Sequence, residues 1–401
     1  MAMVEWKPFK LDELGFVGRG KSRHRPRNES SLYGGKYPFF QTGDIKAANF
    51  HLTDYSQTYS DMGLAQSKLW QPGTLCITIA ANIAETAILG IPGCFPDSVV
   101  GFVANPDKAD VRFVKYYMEI LKLQMQSASR GTTQDNLSVD KLLTFDFLVP
   151  PLPTQRRIAS ILSAYDELIE NNQRRIRILE EMARSLYREW FVHFRYPGHE
   201  SVPLVDSPLG QIPQGWEVGR LNEALVLQRG FDLPKNERED GYVPIIASTG
   251  VNGFHSVAKV KAPGVVTGRS GSIGDVLYVQ EDFWPLNTTL WVKEFPKSEP
   301  LFAYYLLSSL ELKQFNSGAA VPTLNRNDVH SVQVVIPPRE LQWKFQLNAA
   351  AMHAQMQIIQ KQTENLRRTR DLLLPRLLSG QIDVEATENL GQILSFLTKK
   401  K

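Results

Sequence analysis

The chain has 401 residues, 43% of them apolar and 10% aromatic, enough to bury at least two cores of ordinary domain size. It opens without a basic segment followed by an apolar run, and no apolar stretch approaches the roughly 20 residues that a bilayer span needs, so neither secretion nor membrane contact is expected. Only Cys76 and Cys94 are present, outside any CxxC or Cys/His metal spacing, which argues against a disulfide framework and structural zinc and fits a reducing cytoplasm.

A net charge of +3 says little about a polyanionic partner. Its distribution says more. Arg19, Lys21, Arg23, Arg25 and Arg27 follow one another without an acidic residue between them, a density suited to phosphate contacts, although a solvated loop would read the same way.

The chain repeats itself. Trp6, Leu11 and Glu13 recur 210 positions later as Trp216, Leu221 and Glu223, and Arg19-Gly20 recurs at the same separation as Arg229-Gly230. Tyr116-Tyr117 corresponds to Tyr304-Tyr305, 188 positions later, and Val149-Pro150-Pro151 to Ile336-Pro337-Pro338, where the separation has fallen to 187. The first copy therefore carries about 23 additional residues between the Arg-Gly pair and the later strands, where the Arg/Lys-rich loop lies. A scaffold that repeats while its early loops diverge fits two similar frames reading different targets; drifting loops after a plain duplication are the alternative.

Each copy reads as mixed α/β. In the first, strand-like runs at 37–40, 74–79 and 99–104 precede an amphipathic helix over 111–125; in the second, runs at 243–246, 265–268, 276–279 and 289–295 precede a helix over 301–315.

A long helix opened by a proline signal follows each copy. In the first, Ile158, Leu162, Tyr165, Ile169, Asn172, Ile176, Leu179, Ala183, Leu186 and Trp190 alternate in steps of four and three, the seam of a coiled coil. The same frame in the second gives Phe345, Ala349, Met352, Met356, Ile359, Thr363, Leu366, Arg370, Leu373 and Leu377. Seams of equal length favour antiparallel pairing within one chain over pairing between chains. A buried Asn172 would fix the register, unless it faces solvent at an imperfect crossing, and Pro375 should kink or end the second helix. The expected layout is two tandem homologous domains, 1–150 and 196–336, in a pseudo-twofold arrangement, separated by helices at 151–195 and 337–382, with a tail at 383–401.

The stretch from Gly15 to Ser22 fits the phosphate-loop pattern GxxxxGK[ST] letter for letter. A working phosphate loop opens a helix, yet His24, Arg25 and Pro26 show no helical periodicity, and the second copy keeps only Arg229-Gly230. Gly268-Arg269-Ser270-Gly271-Ser272-Ile273-Gly274 lies between two strand-like runs and reads as a hairpin loop. The seven histidines are scattered singly, and no convincing catalytic set or metal site emerges.

Over almost its full length the sequence resembles the specificity subunits of type I restriction-modification systems. The resemblance rests on the Trp-x(4)-Leu-x-Glu segments at Trp6 and Trp216, the domain end at 147–158 with Pro150, Pro151, Pro153 and Gln155, its counterpart at 334–338, the linker at 210–216 and the terminal Leu374-Pro375-Arg376-Leu377-Leu378-Ser379-Gly380. It implies two target-recognition domains in inverted orientation, each reading half of a split asymmetric site in double-stranded DNA, with the helices setting the spacer. It also implies two methyltransferase subunits that bind S-adenosylmethionine and methylate adenine, with two restriction subunits using ATP and magnesium as further partners. No cofactor is then expected on this chain, and no catalysis.

Long basic side chains suit phosphates, while Arg, Asn, Gln, Ser and Thr on loops suit base edges. The candidate DNA contacts are Lys21, Arg23, Arg25, Arg27, Gln41, Thr42 and Arg130 in the first domain. In the second they are Arg229, Lys235, Ser248, Thr249, Arg269, Ser270 and Arg326. A P-loop ATP-binding enzyme using Gly15 to Ser22, or a coiled-coil scaffold without DNA contact, are the competing functions.

Overall fold

A computed structural model describes residues 5–129 and 137–385. The chain divides into two compact units, one formed by Met1–Arg174 with Gln360–Lys401 and the other by Arg175–Ile359. Each unit thus combines one copy of the repeat with part of each long helix.

In the first unit, strand Lys7–Phe9 pairs antiparallel with Phe147–Val149, closing the domain on itself. The repeated Trp-x(4)-Leu-x-Glu segment has a mechanical explanation here. Leu11 and Leu14 of the short helix Leu11–Leu14 are buried, and Glu13 Oε2 accepts the Lys10 backbone N–H at 2.6 Å, satisfying a donor at the helix start. A five-stranded sheet follows, ordered Gly15–Arg19, Val99–Ala104, Leu75–Thr78, Thr86–Leu89 and His51–Leu52. Its inward residues Leu75, Ile77, Val100 and Phe102 share a core with Phe113, Val114, Met118 and Leu121 of helix Val111–Ser129. A second layer pairs Tyr33–Phe39 with Gln57–Tyr59.

The second unit repeats the plan. Glu217–Arg220 pairs with Gln333–Ile336, and Glu223 Oε1 accepts the Arg220 N–H at 2.9 Å ahead of a buried Leu221. The sheet runs Val226–Arg229, Thr289–Glu294, Gly264–Gly268 and Val276–Val279, with a second layer of Gly250–His255, Val243–Ala247 and Trp284–Pro285. Helix Pro300–Ser309 takes the place of the longer helix of the first unit, shorter than the expected 301–315; the chain continues as a separate 3-10 turn at Leu312–Phe315.

The recurrent Arg-Gly pair marks a close backbone approach. Gly20 N–H donates to Val99 O at 2.8 Å and Gly230 N–H to Thr289 O at 3.1 Å. A Cβ on Gly20 would stand 2.2 Å from Pro96 O, and one on Gly230 2.2 Å from Leu286 O. A repeated glutamine ties each domain to its helix. Gln155 Nε2 donates to Lys108 O and Pro150 O and its Oε1 accepts from Asp110 N–H, while Gln342 does the same with Lys297 O, Pro337 O and Glu299 N–H.

The additional residues of the first copy do not lie in the Arg/Lys-rich loop, as the falling separation suggested. The stretches from Arg19 to Phe39 and from Arg229 to Ala247 are of similar length. The excess sits mainly after Phe39, where the first unit inserts helix Thr42–Ala47 and strand His51–Leu52 before Gln57, whereas the second turns directly from Ala247 to Gly250.

The long helices are Leu152–Tyr187 and Arg339–Leu378. Every position of both seams is buried or half-buried. In the first unit, Ile158, Leu162, Tyr165 and Ile169 share a core with Leu373 and Leu377, and ascending positions meet descending ones, Asp166 with Arg370 and Asn172 with Thr363. In the second, Tyr187 and Trp190, at the end of the first helix, pack on Phe345 near the start of the other. The pairing is antiparallel in each unit. Pro375 neither ends nor interrupts the second helix, which runs on to Leu378. It sits one turn from the C-terminus, where Ser379 N–H returns to Pro375 O and Gly380 (φ +71°) turns the chain. No helix among the described residues is long and apolar enough to cross a membrane.

Candidate nucleic-acid interface

The Arg/Lys-rich loop of the first unit is pinned through its backbone, which leaves side chains to face outward. Lys21 N–H donates to Phe95 O at 3.1 Å, Ser67 Oγ donates to Lys21 O at 2.8 Å, and Gln66 Oε1 accepts from Arg23 N–H and His24 N–H at 2.6 and 3.0 Å. The basic side chains then differ. Arg27 Nη2 donates to both Asp97 carboxylate oxygens, at 3.0 and 2.9 Å, which offsets its charge, and Arg25 Nη1 donates to the carbonyls of Ser22 and His24 at 2.8 Å. Lys21 and Arg23 are exposed.

Arg27 also lines a polar cleft of about 560 Å3 with Ser22, Asn28, Tyr33, Phe39, Gln41, Thr42, Gln57, Pro96 and Ser98. The sequence candidates Arg27, Gln41 and Thr42 thus meet in one place, while Arg130 lies outside the described residues. Gln57 and Tyr33 carry no mark in the sequence, because the strand pairing that brings Gln57 to Phe39 and Gln41 is a tertiary event.

In the second unit, Arg229, Arg269 and Arg326 converge on a cleft of about 440 Å3, completed by Leu290, Thr323, Leu324 and Asn325. Arg229 is loosely paired with Asp232 at 3.8 Å, Arg269 Nη1 donates to Asn287 O at 3.3 Å, and Arg326 is exposed in the first turn of helix Arg326–His330. Ser270 bridges to Thr323, and Leu324 N–H donates to Arg269 O at 2.8 Å, so the 316–325 loop is laced onto the hairpin that carries Arg269. That hairpin joins Gly264–Gly268 to Val276–Val279, as expected for the glycine-rich stretch. Ser248 stands beside it, its Oγ 3.8 Å from the Cβ position of Gly271. Lys235 and Thr249 are exposed and line neither this cleft nor that of the first unit.

The phosphate-loop match dissolves in this setting. Gly15–Arg19 is an edge strand paired along its length with Val99–Ala104, and the residues after it form no helix until the single turn at Ser30–Leu32. No helix N-terminus is available there to face a nucleotide phosphate.

The type I restriction modification DNA specificity domain matches twice, over residues 3–181 and 213–365. The chain belongs to that family. Each match covers one copy of the repeat and runs on into the long helix that follows it. The type I restriction enzyme MjaIX specificity subunit of Methanocaldococcus jannaschii is 24% identical, covering 95% of this chain and 94% of the relative. The EcoprrI specificity subunit of Escherichia coli is 22% identical over 84% of this chain and 85% of its own length. The crystal structure of the type I restriction-modification S subunit from M. genitalium superposes with a TM-score of 0.65 at 18% identity, covering 94% of this chain and 97% of the other, which shows a shared fold.

Proposed function

We propose that this chain is the noncatalytic DNA-reading subunit of a type I restriction-modification complex. Each domain reads one half of a bipartite, asymmetric site in double-stranded DNA, the long helices set the unread spacer, and partner subunits methylate adenine. Two methyltransferase subunits bring S-adenosylmethionine, and two restriction subunits bring ATP and magnesium, so the cofactors reside on the partners. The complex acts in the cytoplasm.

The observation that carries the reading is the convergence of Arg229, Arg269 and Arg326 on one open cleft of the second unit. Three guanidinium groups gathered with few acidic partners are costly to hold together unless a polyanion meets them, and arginine is the side chain that pairs two-pronged with phosphate or with guanine O6 and N7. The exposed Lys21 and Arg23 add a phosphate-binding edge to the first unit. For the partners, the first long helix exposes Leu168, Ile178 and Met182 and the second exposes Trp343, Leu347 and Ile358, apolar side chains that an assembled complex would cover.

The test is the full chain assembled with the modification subunits of its host. Adenine methylation should map to one bipartite motif, and binding to that duplex should weaken linearly with the logarithm of salt. Arg326→Ala and Arg23→Ala should each lower the salt slope by about 0.9 if the residue neutralises one phosphate. DNA affinity of the complex that neither variant alters, with no sequence preference, would mean that this chain does not touch DNA and would leave a helical scaffold as the better description.

A further inference from the structure

In the first unit two side-chain amides face each other at the cleft, Gln41 Nε2 donating to Gln57 Oε1 at 2.8 Å. Their backbones are fixed. Gln57 lies opposite Phe39 in the strand pairing, and Gln41 N–H donates to Asp44 Oδ2 at 2.7 Å, an oxygen that also accepts from Ser56 Oγ at 3.3 Å. Both glutamines are exposed, and Tyr33 and Phe39 line the same cleft with ring centroids 6.2 Å apart.

One hydrogen bond between two amides uses one donor and one acceptor. It leaves the Gln41 carbonyl and the Gln57 NH2 free to face a partner. Exchanging oxygen and nitrogen in both amides reverses the internal bond but still leaves one acceptor beside one donor. That pattern matches one base edge in the major groove. Adenine offers an N6 donor beside an N7 acceptor, guanine offers two acceptors, cytosine offers the N4 donor, and thymine offers the O4 acceptor with a methyl group.

We propose that the Gln41–Gln57 pair is the specificity-determining element of the first domain and reads an adenine in its half-site through N6 and N7. The inference rests on the DNA-reading function proposed above. The pair belongs to the first unit alone, since the second replaces this excursion with the tight turn from Ala247 to Gly250. The two half-sites are therefore read by different chemistry, amides in the first and arginines in the second.

The experiment selects duplexes from a randomised pool with the full chain and its modification subunits, for wild type, Gln57→Glu and Gln41→Ala. Glutamate at 57 still accepts from Gln41 Nε2 but turns the free donor into an acceptor, so one adenine position in one half-site should shift toward cytosine, by about tenfold or more. Gln41→Ala should relax the same position, and the other half-site should not change. Replacing that adenine by 7-deazaadenine should weaken wild-type binding by a similar factor and leave Gln57→Glu unaffected, a readout independent of how the variants fold. If wild type selects a bipartite site and both variants keep its every preference, the amide pair is not a reader while the DNA-reading function stands. If wild type selects no sequence at all, both fall together.

Discussion

The Asn172 amide donates to the Thr363 hydroxyl at 3.3 Å, and both residues are buried in the seam between the long helices. A polar pair in an apolar seam specifies register, because sliding either helix by a turn would bury both groups without each other. Thr363→Val takes the hydroxyl partner from a buried amide and should lower the urea midpoint by an amount equivalent to about 1–3 kcal/mol. Pairing it with Asn172→Leu removes the stranded group and should recover most of the loss. Equal losses in the single and double variants would mean that the two side chains do not depend on each other.

A second polar contact crosses the same helices. Asp166, almost wholly buried, accepts a hydrogen bond from the Tyr116 hydroxyl at 2.5 Å and pairs with Arg370, one of the seam positions. Burial pushes the Arg370 guanidinium toward neutrality, and the Asp166 carboxylate more than offsets this, holding it charged. Arg370→Leu strands a buried carboxylate and should cost about 3 kcal/mol. Adding Asp166→Asn, which still accepts from Tyr116, should restore most of that stability in chemical denaturation.

These contacts show where sequence reading succeeds and where it stops. The heptad is legible because seam spacing is a local property of one helix, and it places Asn172, Thr363 and Arg370 in the seam from spacing alone. The repeated Trp, Leu and Glu marked the domain entries for the same reason, since their roles lie within a few residues of each other. Gln57 was not legible. Its meaning depends on Gln41 across an insertion, and a shared cleft has no signature in spacing. Nor did the sequence show that Asp97 offsets the charge of Arg27 or that local carbonyls hold Arg25, so five similar basic residues proved unequal. Pro375 does not end the helix as expected: the chain stays helical for three more residues, to Leu378.

The Arg-Gly repeat yields a further prediction. A Cβ at Gly230 would sit 2.2 Å from Leu286 O and 2.6 Å from Pro285 O, both backbone atoms that cannot swing aside. Gly230→Ala should therefore destabilise the second unit by about 2–4 kcal/mol. Gly20→Ala should do the same in the first unit, against Pro96 O and Phe95 O. Gly43→Ala is the control: it lies in helix Thr42–Ala47 with nothing within 4 Å, and should be neutral or slightly stabilising by urea denaturation.

His51 and His353 should give the two units opposite responses to pH. The Glu170 carboxylate, 3.0 Å from His51 Nδ1, raises the ring's pKa above its usual value against the opposing effect of burial. Burial pushes Glu170 up, but the His51 ring and the backbone amides of His51 and Phe50 outweigh it and hold the carboxyl below its usual range. The His51 contribution is complete below about pH 6.5 and is lost as pH rises through the raised folded value. The Glu170 contribution is present above about pH 4.3 and is lost as pH falls through the lowered one. In the second unit, His353 Nε2 lies 2.9 Å from the Tyr305 hydroxyl, and burial brings its pKa down to about 4. The unfolded chain takes up that proton near pH 6.5 and the folded one does not. Stability of the second unit should therefore be full above about 6.5 and fall toward pH 4, by on the order of 3 kcal/mol. Hydrogen exchange at pH 5 and pH 8 separates the two, with helix Val111–Ser129 better protected at the lower pH and helix Pro300–Ser309 at the higher. His51→Gln should abolish the first difference and His353→Gln should reduce the second, leaving the part due to His330, whose pKa burial and Arg326 also lower; profiles unchanged in both variants would assign the pH dependence to other groups.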